Sequence, residues 1–186
     1  MFGHSPAVIY RVKQDAISIL KADHRKVKGL FVQFEEAKGR REKKKIVAEA
    51  LLELKCHAAL EEEIFYAAVR RHVGKDTMNE ADEEHHVAKV LIAELETMDG
   101  SESHYDAKFT VLSENVRHHI KEEESEMLPK AQKVKVDFEQ LGERMLTRKK
   151  ELLQNGFPSV GEETMVAASQ EKGDSPAQAA EQGKQR

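Results

Sequence analysis

His57-Ala-Ala-Leu-Glu61 and His119-Ile-Lys-Glu-Glu123 decide how this chain reads. Each is preceded by another histidine at nearly the same interval: 57 − 24 = 33 residues from His24, and 119 − 85 = 34 from His85. The pattern is a lone histidine, a helix-turn-helix length of chain, then His-x3-Glu, and it occurs twice. Side chains four residues apart stand one above the other on a helix face. A His and a Glu so placed can grip one metal ion, and two such units can hold a pair.

Outward from these motifs, apolar residues recur at helical spacing. The first helix starts with Asp15 as N-cap and ends near Gly39, a residue suited to the left-handed position after a helix. Its seam is Ile17, Leu20, His24, Val27, Phe31 and Phe34. The second runs from about Glu42 to His72, closed by Gly74, with Val47, Ala50, Leu54, His57, Glu61, Ile64 and Ala68 on its seam. The third opens with the capping-box sequence Thr77-Met-Asn-Glu80 and carries Met78, Ala81, His85, Ala88, Ile92 and Leu95, stopping before Gly100. The fourth opens at Ser103-His-Tyr-Asp106 and carries Phe109, Leu112, Val116, His119, Glu123 and Met127 until Pro129. In every helix the ligand-type residue interrupts an apolar seam, where a solvated residue would fall on the other face.

Short turns make successive helices antiparallel. At 1.5 Å per residue, His24 and His57 both lie roughly 20 Å from the first turn, and His85 and His119 lie at nearly the same depth about the second. The expected fold is all-α: an up-down-up-down four-helix bundle over residues 15–131, after an N-terminal extension at 1–14. An amphipathic helix follows at 132–154, with Val134, Phe138, Leu141, Met145 and Leu152 on its apolar stripe. It must cover the bundle or a partner subunit, which would give a homodimer through this helix. Residues 155–186 turn to Gly, Ser, Gln, Ala and Glu with two prolines, and are expected to be disordered or loosely attached.

Composition excludes several classes. Charged residues make up 34 % and aromatics 5 %, with no Trp, which suits long amphipathic helices more than sheets. A net charge of −4, with Lys and Arg mixed among Asp and Glu, gives no reason to expect nucleic acid. The one basic cluster, Arg40 to Lys45, reads as a solvated helix start. A single cysteine, Cys56, excludes an internal disulfide framework and a multi-thiolate zinc site, and reads as a small buried thiol. The opening MFGHSPAVIY lacks the form of a signal peptide, and no stretch approaches the ~18 apolar residues of a membrane span. A soluble, cytoplasmic protein is expected.

A single histidine on an apolar face is ordinarily a core residue with a satisfied hydrogen bond. Two glutamates on the same seams change the balance, because a carboxylate buried without a partner costs several kcal/mol. Arg and Lys lie mainly off these seams, so metal coordination is what satisfies His24, His57, Glu61, His85, His119 and Glu123 together. His86 and His118 sit about 100° round their helices and receive no ligand role. His4, His72 and His104 fall at ends or turns and read as solvated. Glu62 and Glu124 read equally as extra ligands, as acceptors behind the ligands, or as solvent-exposed. Imidazole and carboxylate without thiolate suit iron, manganese or zinc. Six such residues cannot fill the roughly twelve positions of two octahedral ions, so open positions remain.

The segments DHRKVKGLF around His24, HAALEEEIFYAAV from His57, EEHHVAKVLIAEL around His85 and HHIKEEESEMLPKA around His119 resemble the bacterial hemerythrin-like, or HHE cation-binding, domain over about residues 15–131. The resemblance implies a bundle around two non-haem iron ions joined by an oxo or hydroxo bridge, with the six residues above as ligands. Zinc or manganese remains open from the donors alone. Oxygen-carrying members have a second histidine where this sequence has Lys89. Their last carboxylate falls five residues after the helix-four histidine, whereas Glu123 and Glu124 are both acidic here, and symmetry with Glu61 favours Glu123. One imidazole fewer favours turnover or sensing over reversible carriage. The expected function is binding of dioxygen or reactive oxygen species, for sensing, storage or detoxification. A peroxide-decomposing enzyme and a structural or regulatory metal module are the alternatives.

Overall fold

A computed structural model describes residues 14–157. The helices are α1 (Ala16–Glu36), α2 (Arg40–Leu60), α3 (Tyr66–Val73), α4 (Lys75–Glu96), α5 (Tyr105–Glu122), α6 (Leu128–Ala131) and α7 (Phe138–Asn155). Two π-helical turns, Glu61–Phe65 and Glu123–Met127, join α2 to α3 and α5 to α6 without breaking the rods. The result is the all-α bundle of four rods, with α7 as a fifth helix laid against it.

Local chemistry sets the ends. The Asp15 carboxylate accepts from Ser18 N (2.8 Å) and Ser18 Oγ (2.9 Å), capping α1. Asp137 caps α7 in the same way, accepting from Gln140 N at 2.9 Å. Three boundaries differ from the sequence expectation. Gly39 is not a left-handed helix terminator: with φ −99° it is the residue before α2, and α1 already ends in extended backbone at Ala37. The capping box at Thr77 is not used, because α4 starts at Lys75, directly after Gly74, whose φ of +115° makes the reversal from α3. Pro129 does not end the fourth rod. It lies directly after the second π turn, where the four-residue ladder is already interrupted, and the helix continues to Ala131.

The hairpins α1–α2 and α4–α5 build one core, including Val27, Phe31, Phe34, Leu54, Phe109 and Leu112. A second core at the other end holds Leu20, Leu60, Phe65, Tyr66, Met78, Leu128 and Met145. Along every rod the ligand-type residues fall between these two apolar regions. The first π turn also corrects the second seam. Phe65, Tyr66 and Val69 are buried beyond it, while Ala68 is only partly so, because the wider turn rotates the following residues.

Helix α7 uses its stripe on its own bundle. Leu141, Met145 and Leu152 are buried against α1 and α2, and Phe138 packs near Phe65. Arg148 grips Glu63 with two hydrogen bonds (2.7 and 3.0 Å), and Lys149 reaches Asp23 at 2.8 Å. A dimer through this helix would have to use its outer face, where Leu146 and Leu153 are exposed. Asn155 and Phe157, assigned by sequence to the tail, belong to the end of α7 and to the bundle surface. The remainder of the expected tail, His4 and the rest of the N-terminal extension before Gln14 lie outside the described residues.

Candidate metal centre

Each His-x3-Glu unit straddles a change of helix type. Glu61 and Glu123 are the first residues of the two π turns, and both are buried to within 1 %. Such single-turn widenings recur at functional sites because they re-aim one side chain without ending the helix. Here each begins at the buried carboxylate, four residues beyond its own histidine.

All six sequence-predicted residues converge. His24, His57, Glu61 and Glu123 place one donor atom each within 4.8 Å of one another, and Glu61, His85 and His119 do the same. His24 Nε2 lies 3.1 Å from His57 Nε2 and 3.0 Å from Glu123 Oε2. His85 Nε2 lies 3.2 Å from His119 Nε2. Glu61 belongs to both groups, with Oε1 3.2 Å from His57 Nε2 and Oε2 3.2 Å from His85 Nε2. His86, His72, His104 and His118 are exposed, as their helix positions predict. Cys56 is buried, and burial pushes its thiol pKa up, away from reactive thiolate.

Carboxylates behind the histidines fix which nitrogen carries the proton. His24 Nδ1 donates to Glu124 (2.9 Å), His85 Nδ1 to Glu62 (2.8 Å) and His119 Nδ1 to Glu84 (2.7 Å). A carboxylate only accepts, so the proton sits on Nδ1 and the Nε2 lone pair faces inward. Glu62 also holds Lys89 at 2.6 Å and Glu124 holds Lys28 at 3.4 Å, which resolves the open question about these two glutamates. Glu84 was missed in the sequence. The signal is the repeat itself: acidic Asp23 and Glu84 precede the lone histidines, as Glu62 and Glu124 follow the buried glutamates.

One position breaks the symmetry. Asp23 Oδ2 lies 3.9 Å from His57 Nδ1, and neither atom has a hydrogen-bond partner among the described residues. Asp23 is engaged by Lys149 of α7 instead. Tyr66 was also missed. It is buried five residues after Glu61, with Oη 3.5 Å from His85 Nε2, 3.4 Å from His119 Nε2 and 3.4 Å from Glu123 Oε1. Burial first, and then the surrounding carboxylates, hold its phenol well above the ordinary range and therefore protonated.

Donor counting tests whether a cation fits. Inward lone pairs on imidazoles confront carboxylate oxygens at about 3 Å, and both oxygens of Glu61 and Oε2 of Glu123 are buried without a hydrogen-bond donor. Such an array needs positive charge. Without metal, it holds protons. Burial opposes charge on His85, but the nearby carboxylates of Glu61 and Glu62 lift its pKa to about 10. His24 is likewise raised, with burial outweighed by Glu123 and Glu61. Burial also opposes ionisation of Glu61, yet His57 and His85 hold it well below the usual range, whereas burial and the Glu61 charge push Glu123 up. Donors ~3 Å apart also match two ligands set at right angles on one ion with bonds of ~2.1 Å. The residues fit a metal.

The family model of the hemerythrin HHE cation binding domain matches residues 15–131. The chain belongs to this family. As an HHE domain it is a hemerythrin-like metal-binding protein, and the buried layer just described groups residues that could hold a cation. The crystal structure of a hemerythrin HHE cation binding domain-containing protein from Mycobacterium kansasii matches with a TM-score of 0.64 and 26 % identity, over 77 % of this chain and 95 % of that one. A DNA nickase of Nostoc sp. is 25 % identical over 107 residues, covering 58 % of this chain and 30 % of the nickase. The chain thus spans less than a third of that relative. Helix α7 lies beyond the matched HHE segment, and the described residues contain no helix long and apolar enough to cross a membrane.

Proposed function

We propose that this HHE domain is a non-haem di-iron protein that binds dioxygen or a reactive oxygen species, for sensing, storage or detoxification. His24, His57, Glu61 and Glu123 would hold one ion, and Glu61, His85 and His119 the other. The observation that carries this reading is Glu61, fully buried, with one orphaned oxygen turned to each histidine pair. When bound, iron supplies redox chemistry toward a small oxygen species.

The chain's own residues do the rest. Glu124, Glu62 and Glu84 orient three imidazoles and raise their basicity through Nδ1. The two apolar cores on either side lower the dielectric in which the charges act. Lys89, which stands where oxygen carriers have another histidine, bonds to Glu62, and the lost imidazole supports sensing or turnover over carriage. Protein produced with iron should hold about two irons per chain and show the near-ultraviolet charge-transfer band of an oxo bridge. Elemental analysis with an absorption spectrum checks this, and zinc or manganese in place of iron would redirect the reading. His119→Ala should lose about half of the iron, that of its own position, and His118→Ala should keep it all. The reverse result would mean that the register of the fourth rod is wrong.

Tyr66 favours a second reading, peroxide decomposition at the same centre. Its Oη keeps a proton within reach of Glu123 Oε1 and of the second histidine pair. In the enzyme reading, Tyr66→Phe keeps its two irons but evolves oxygen from peroxide at least ~10-fold more slowly, within the usual range for a positioned proton donor. Equal rates in the two proteins would remove Tyr66 from the chemistry.

A further inference from the structure

The six-residue layer has two unlike sides. Glu61 and Glu123 stand on the side of the fully buried Tyr66 and Leu60, where only a small pocket of about 60 Å³ reaches Glu123. All four histidines line the other side, which opens into a cavity of about 340 Å³ running out between α2 and α4. Its walls are aliphatic: Leu54, Ala58, Ala88, Ile92, Val116 and Ile120. Phe157 stands over it, with Lys55 Nζ 4.6 Å from the ring centre.

This space is far larger than dioxygen or peroxide needs. An apolar cavity of ~150 Å³ accommodates benzene, so this volume suits about a dozen heavy atoms. Aliphatic walls give water few partners, which favours an apolar occupant over a water cluster. The charges around it are already neutralised: Lys55 pairs with Glu96 at 2.7 Å, and Lys89 with Glu62 at 2.6 Å. An ionic headgroup would have to break one of those pairs. Asn115 also lines the cavity, but its Oδ1 is buried out of reach of that space and sets no polar contact for an occupant.

We propose that the cavity is a binding site for a neutral, mainly apolar organic molecule of about a dozen heavy atoms. It rests on the di-iron reading only for what lies at its floor. Such a ligand would lie against the histidine side of the centre, so the oxygen chemistry proposed above would act next to an organic molecule.

The probe is 1-octanol, with octanoate as the anionic control, added to the metal-loaded full chain and followed by ligand-observed NMR. Octanol should bind at least ten times more tightly than octanoate. Its proton relaxation should be enhanced by the iron-loaded protein and not by a zinc-loaded one. Ala88→Phe, which fills the cavity, should abolish binding while the metal content stays unchanged. Ala58→Leu is a milder filling variant should the first fail to fold. Octanol that does not bind, or that binds the filled variants as well as the parent, overturns the proposal. Metal content, measured on the same samples, judges the di-iron reading separately: chains that lack iron yet bind octanol would sink that reading and leave the cavity standing.

Discussion

Glu61→Ala should empty both metal positions, leaving well under one iron per chain where the parent holds about two, because one carboxylate serves both histidine pairs. Loss of a residue serving only one pair, such as His24 or His119, removes a donor from one position alone. The variant should also lose the stability that metal adds. An ion that binds only the folded chain adds about 4 kcal/mol at a thousand times its dissociation constant. For a chain of this length, that corresponds to roughly 8–16 °C in Tm. Glu61→Ala should forfeit that increment. In chelated protein the same substitution leaves the buried His85 cation without its nearest counter-charge, so the variant should be less stable there as well. The discriminating quantity is the gain on adding iron, large in the parent and absent in Glu61→Ala, which thermal melts of both proteins with iron and with chelator check. An equal gain in both proteins would show that Glu61 is not a ligand.

Gly142→Ala should destabilise, against the ordinary rule for helices. Replacing a mid-helix glycine by alanine normally gains ~1 kcal/mol of helix propensity. Here a Cβ on Gly142 would run into the main-chain oxygen of Gln14 and crowd Ala16 N at 3.1 Å. Neither atom belongs to a flexible side chain, so α7 must lift from the start of α1. Forced overpacking of this kind costs ~1–3 kcal/mol, or roughly 3–10 °C in Tm. Lifting α7 also strains the Arg148–Glu63 bonds over the first π turn and the Lys149–Asp23 contact beside His24. Iron affinity should therefore fall together with Tm. A variant that melts at or above the parent temperature would show that α7 does not pack against α1 in this register.

The same helix explains why the two halves of the centre differ. By repeat symmetry Asp23 should sit on His57 as Glu84 sits on His119, yet Lys149 holds it and leaves 3.9 Å between Asp23 and His57. A unit outside the matched HHE segment thus reaches the atoms behind one ligand.

What the sequence determined alone is the part governed by short-range periodicity. His24, His57, Glu61, His85, His119 and Glu123 interrupt apolar seams at helical spacing, so their burial and common depth follow from the 1.5 Å rise and short turns. The caps at Asp15 and Asp137 are equally local. Only the tertiary structure decided the two π turns, because widening one turn by a residue leaves no compositional mark. With them came the burial of Tyr66. It also decided the partners of Glu62, Glu84 and Glu124, since each reaches a histidine on a different rod. The docking of α7 and the opening between α2 and α4 were likewise settled there. Contacts between rods depend on how the helices rotate against one another, and spacing along a single helix does not carry that information.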